Sequence, residues 1–181
     1  MLKKITWQEG KVLSLKLRDD LYTLVQMREN YYLQFFDLTR TQDIWEGIDL
    51  ETVDTLFFIF TSTKALKGLA ISEPSLDNIS IDGHSPEKKM LSAIIGGNYG
   101  ADLIELTDSF ETLDAITLKS NLTVPDDLDT IYKYELSGMI GDPEKLRNRL
   151  IKYFEDGINW DKSKEFLFKG ISPPSAKIRN Q

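Results

Sequence analysis

Residues 11–36 read KVLSLKLRDDLYTLVQMRENYYLQFF, and their pattern decides the fold. KVLSLKL (11–17) approximates a period of two through Val12, Ser14 and Leu15-Lys16-Leu17, and Asp19-Asp20 breaks it. LYTLVQM (21–27) is rich in β-formers, and YYLQFF (31–36) follows after Arg28-Glu29-Asn30. Short β-rich runs separated by tight polar turns form a meander, because a two- or three-residue turn can join only antiparallel neighbours.

Downstream, Leu56-Phe57-Phe58-Ile59-Phe60 reads as a buried strand. Residues 39–55 lie between as a long loop, with Trp45 and Ile48 as candidate anchors. Lys67–Ile71 reads as a further strand ended by Glu73-Pro74-Ser75, and Asn78–Ile81 as a short one ended by Asp82-Gly83. EKKMLSAII (87–95) places Met90, Leu91, Ile94 and Ile95 at helical spacing, with Gly96-Gly97 as its stop. Leu103–Leu106 and Leu113–Leu118 alternate weakly, and Ile131–Leu136 reads as a clearer strand.

The best helix starts at Asp142-Pro143-Glu144, where Asp142 can cap and Pro143 loses nothing by lacking an N–H. Leu146, Leu150, Ile151 and Phe154 give it an apolar face, and Gly157 ends it. A short element over 161–168 carries Phe166 and Phe168. The expectation is an α+β fold: an N-terminal antiparallel β-meander or small barrel-like sheet packed with a few helices, including one C-terminal amphipathic helix. One domain is expected over 1–170, with a flexible tail over 171–181.

The chain has 181 residues, 41% hydrophobic and 28% charged, which is ordinary for a globular protein. It has no cysteine, so disulfides, thiolate nucleophiles and thiolate zinc sites are excluded. The start, MLKKITWQEGKV, has no apolar stretch of signal-peptide length, and the run Leu56–Phe60 is too short to span a membrane. A cytoplasmic protein is expected, with no membrane partner.

Net charge is −7 and unevenly placed. Residues 41–63 carry five acidic groups and no basic one, and so do residues 91–118. A nucleic-acid binder needs positive charge clustered on a face, so direct nucleic-acid binding is not expected. Acidic stretches also serve plain solubility. In the second stretch a carboxylate recurs at every third position: Asp102, Glu105, Asp108, Glu111 and Asp114. Spacing by three suits neither a single helical stripe nor one face of a strand. A strand, then a loop carrying Asp108 and Glu111, then a second strand or short helix accommodates it. The first stretch has Asp43, Glu46, Asp49, Glu51 and Asp54, with Trp45 and Ile48 between. Acids mixed with an aromatic suit docking of a basic partner, although core packing is the better reading of Trp45. Asp102, Glu105, Asp108, Glu111 and Asp114, with Asp43, Glu46 and Asp49, are the candidate partner-binding residues.

Catalytic signatures are sparse. Gly96-Gly97-Asn98-Tyr99-Gly100 lacks the lysine of a phosphate loop, and there is no G-x-S-x-G elbow. His84, the one histidine, sits between an Asp-Gly turn and Ser-Pro, where solvent exposure is expected. Tested as a calcium loop, Asn78-x-Ser80-x-Asp82-Gly83 ends on Lys89 instead of glutamate. No catalytic residue, metal site or cofactor is assigned.

Trp7-Gln8-Glu9-Gly10-Lys11-Val12, the run Leu15–Met27, the aromatic segment Tyr31–Asp37 and the strand Leu56–Phe60 together resemble the immunity protein 26 family of bacterial toxin–immunity systems. The resemblance implies a non-enzymatic protein of bacterial competition and contact-dependent growth inhibition. Such a protein stays in the producing cell's cytosol and neutralises a toxin delivered by neighbours. Many such toxins are nucleases, which present positive charge to phosphates, so an acidic inhibitor gains by complementing them. The implied partner is a cognate toxin domain with a basic surface. Two alternatives stand beside it: an enzyme using carboxylates and a divalent metal, and a general protein-interaction domain.

Overall fold

In the computed structural model, which describes residues 1–175, ten strands and four α-helices follow one another. They are β1 (Val12–Arg18), β2 (Leu21–Met27), β3 (Tyr32–Arg40), β4 (Ile48–Asp49), β5 (Thr55–Phe60), α1 (Thr63–Lys67), β6 (Ala70–Ser72) and β7 (Ile79–Ser80). After these come β8 (Lys89–Ile94), β9 (Gly100–Glu105), β10 (Ile116–Lys119), α2 (Val124–Lys133), α3 (Pro143–Asp156) and α4 (Ser163–Leu167). The chain divides into two compact units, Met1–Pro86 with Met139–Ile151, and Glu87–Gly138 with the chain from Lys152 onward. No helix among the described residues is long and apolar enough to cross a membrane.

The first unit holds the expected meander. β1, β2 and β3 pair antiparallel, β5 adds outside β3 and β6 outside β1, giving the order β5-β3-β2-β1-β6. The sheet is open, with no closed barrel. Leu13, Val25, Phe35 and Phe57 lie in register across four strands and are all buried. On their face the Arg149 guanidinium of α3 stands 4.3 Å over the Phe57 ring. The opposite face carries Val12, Leu24 and Phe36, which pack with Trp45, Leu50 and Ile79. Both faces are therefore covered, which is why β2, and β3 as far as Phe36, are buried almost throughout.

The turn between β2 and β3 puts Asn30 and Tyr31 at φ 49° and 61°, and the Tyr32 N–H closes it on the Glu29 carbonyl at 2.9 Å. Two successive left-handed residues match the twist of a tight hairpin. Asn30 suits this, and Tyr31 is held there with its ring 5.1 Å from Trp7.

The second unit is a three-stranded antiparallel sheet in the order β10-β9-β8. Leu91, Ala101, Leu122, Ile131, Leu136, Trp160, Leu167, Phe168 and Ile171 form its core. Buried Lys164 donates from Nζ to the carbonyls of Ile131 at 2.7 Å and Tyr134 at 2.8 Å, tying α4 to the end of α2.

The helix at 143 is as expected. Asp142 Oδ1 accepts from the Glu144 N–H at 2.9 Å, and Gly157, at φ 76°, donates to the Tyr153 carbonyl at 2.7 Å. Three expectations are corrected. Within residues 87–95 the chain forms a strand, β8 (Lys89–Ile94), and no helix. β8 ends its sheet, but Leu91 pairs with Leu103 on one side and bridges Leu136 on the other, and Met90 and Leu91 are buried on opposite faces. Residues 131–136 are the end of α2 and the segment after it, with Val124, Leu128, Ile131 and Tyr132 at helical spacing. Lys67–Ile71 is divided between α1, capped by Ser62 Oγ on the Ala65 N–H at 3.2 Å, and β6. Of the tail expected over 171–181, Ile171 is buried in the second unit's core, and residues 176–181 lie outside the described residues.

Candidate functional site

The stretch from 102 to 119 folds as the expected strand, loop and strand: β9, a loop, and β10. The loop is pinned at its middle by Phe110, which is buried at φ 56° with its N–H on the Thr107 carbonyl at 3.0 Å. The Glu111 N–H adds a bond to Thr107 Oγ1 at 3.0 Å. With Phe110 turned inward, the residues on either side face water.

The five acids of this stretch have different surroundings. Asp102 is half-buried, and its Oδ1 accepts from the Asn121 N–H at 2.7 Å, which fixes the chain just after β10. Glu105 ends β9 opposite Lys89 on one side and Ile116 on the other. Asp108 is exposed and paired with Lys88, whose hydrogen bond, then its charge, holds the carboxyl below its ordinary range. Glu111 and Asp114 are exposed.

Apolar side chains stand among these acids in solvent. Leu113 is 90% exposed, Ile116 65% and Leu118 43%, and every residue of β10 is exposed. The weak alternation over Leu113–Leu118 points to a strand, which β10 supplies, but says nothing of its exposure. The available signal was that its apolar residues are bracketed by acids and turns, with no second apolar run beside them to cover them. β8 has its outer edge met by the Glu135 carbonyl and the Ser137 N–H at Leu91, at 2.7 and 2.9 Å. β10 is the opposite edge, and no described strand pairs with its outer side.

In the first unit, the other three candidate acids also divide. Asp43 is exposed but engaged: Oδ1 accepts from Trp45 Nε1 at 2.8 Å and Oδ2 from Ser72 Oγ at 2.7 Å. Trp45 is buried and also donates to Ser14 Oγ at 3.1 Å, so it is a core anchor. Asp49 caps the turn Leu50–Thr52 through the Glu51 N–H at 3.2 Å. Glu46 is exposed, as is Ile44.

A second polar constellation escaped the sequence reading. Asp82 is buried over the sheet, and its backbone N–H and carbonyl both bond to the Gln26 side-chain amide at 2.8 Å, as a strand partner would. Its Oδ2 accepts from Gln34 Nε2 at 2.6 Å and faces Arg28 Nη2 at 3.2 Å. Gln34 Oε1 in turn accepts from Arg28 Nε and Nη2 at 2.9 and 2.6 Å. Asp82 Oδ1 accepts from the His84 N–H at 2.8 Å and lies 2.7 Å from His84 Nδ1. Burial alone would raise the Asp82 pKa. The bonds from Gln34 and His84 and the Arg28 charge outweigh it and leave the carboxyl below its ordinary value. Burial lowers the Arg28 pKa, opposed by Asp82 and Glu9.

The His84 ring is 72% exposed, as expected. A carboxylate only accepts, so Nδ1 carries the proton in this contact. The network fastens the segment after β7 across β2 and β3. Among the described residues no three His, Cys, Asp or Glu side chains come together as metal ligands.

The chain belongs to the family described as a domain of unknown function, DUF8309, whose model matches residues 2–173. No curated protein and no solved structure matches it.

Proposed function

We propose that this chain is an immunity-type inhibitor, which binds a cognate bacterial toxin with a basic surface, a nuclease, and covers its active or substrate-binding surface without turnover. The observation that carries this reading is the joint exposure of Glu111 and Asp114 with Leu113, Ile116 and Leu118. Charge draws a basic partner in, and apolar side chains already in water supply the contacts that keep it. The likeness of the N-terminal third to the immunity protein 26 family supports the same reading. Asp108, Glu105 and Asp102 lie in the same segment, with Asp108 paired to Lys88. Glu46 is the candidate from the first acidic stretch, because Asp43 and Asp49 hold their own loop together.

The test is co-purification with the protein encoded directly upstream, followed by growth protection in cells expressing that protein. Complex formation and survival support the reading. Survival no better than with an empty vector, despite soluble expression of both proteins, overturns it.

A further inference from the structure

We infer that the outer edge of β10 receives an extended basic segment of the partner protein, which adds to this sheet as a fourth strand. The inference rests on the reading of this segment as the docking surface for a basic partner, and goes beyond it by naming how the partner is held. Three features point to the edge. β10 ends its sheet, and its outer side is unpaired among the described residues, whereas the far edge at β8 is met by residues 135–137. An unpaired edge is a row of N–H and carbonyl groups ready to bond another chain. Ile116 and Leu118 are both largely in water, and although the register slips between Thr117 and Lys119, each offers an apolar contact to an added strand.

Charge selects the occupant. Residues 102–118 contain five acids and no base. Of the nearby lysines, Lys88 is engaged with Asp108 and Lys119 with Asp127, while Lys89 stands across from Glu105 at the other edge of β9. Strand addition by a second copy would bring two acidic loops together. A segment alternating Lys or Arg with apolar residues satisfies the backbone edge, the apolar pair and the charge at once. β10 is only four residues long, so the edge alone binds weakly and the charged loop must contribute.

The experiment uses the full chain and two synthetic eight-residue peptides of alternating lysine and valine, one N-methylated at alternate residues. Amide exchange and affinity are measured at low and moderate salt. The unmethylated peptide is expected to slow exchange at one or more amides of residues 116–119. N-methylation is expected to weaken binding about tenfold or more, the loss of one or two backbone hydrogen bonds. The double variant Ile116→Thr/Leu118→Thr, which keeps β-forming residues at exposed positions, is expected to weaken it several-fold while leaving the melting temperature unchanged. Equal affinity of the two peptides, or unchanged exchange at 116–119, overturns strand addition while leaving acidic docking standing. A dimer of the chain alone with those amides already protected overturns it too, by giving the edge to a second copy. Failure of growth protection with the upstream-encoded protein, by contrast, tells against the inhibitor reading and not against the edge.

Discussion

Asp82 is the residue on which the first unit's polar interior turns. It and Arg28 are both about 7% exposed at the side chain, and four hydrogen-bonding groups of Gln34 and His84 converge on the pair. Removing one member of a buried pair strands the other charge, so Asp82→Asn should cost about 3–5 kcal/mol in denaturant unfolding. The folded carboxyl titrates below its ordinary value, so its stabilisation is complete above about pH 4 and is lost as pH falls through the folded value. The wild type should therefore lose stability on acidification through that window, and Asp82→Asn should lose less. Asp43 makes a second residue-level case. It bonds Trp45 and Ser72, so Asp43→Ala should lower the melting temperature even where it leaves association with a basic partner unaltered. An unchanged melting temperature would remove its structural role.

Elements were legible where local rules and tertiary demand agreed. The β1–β3 meander and α3 followed from turn residues, apolar runs and a cap, all within a few residues of each other. Residues 87–95 favour a helix by sequence because Met90, Leu91, Ile94 and Ile95 satisfy helical spacing equally well, and only the neighbours at Leu103 and Leu136 make β8 a strand. The end of α2 was misread because Ile131, Tyr132 and Tyr134 are β-formers, while burial of Ile131 in the core comes from the helical path. The Asp82 network joins residues 48 and 56 positions apart, beyond any local pattern. The exposure of β10 was likewise hidden, since a strand's burial depends on what lies beside it. One close approach gives an element-scale test. A Cβ on Gly68 would stand 2.6 Å from the Pro143 Cβ, at the start of α3, and Arg147 Nη2 donates to the Gly68 carbonyl at 3.0 Å. Gly68→Ala should cost about 1–3 kcal/mol by overpacking, measured by thermal or denaturant unfolding. A neutral effect would mean that α3 yields freely at its first turn.

At the scale of the whole molecule, the excess negative charge resolves into acids with different work. Asp43, Asp49 and Asp102 hold backbone or side chains in place, Asp108 is paired, and Glu46, Glu111 and Asp114 are left to the solvent. Exposed acids beside exposed leucine and isoleucine are costly in an isolated protein, through repulsion and wetted apolar surface, and both costs fall when a basic partner arrives. The most direct measurement is the association rate with the protein encoded directly upstream, the proposed toxin, at two salt concentrations, for the wild type and for Glu111→Lys/Asp114→Lys. The account predicts that the double reversal slows association about tenfold at low salt and flattens its salt dependence. An association rate and salt slope equal to the wild type's would contradict it.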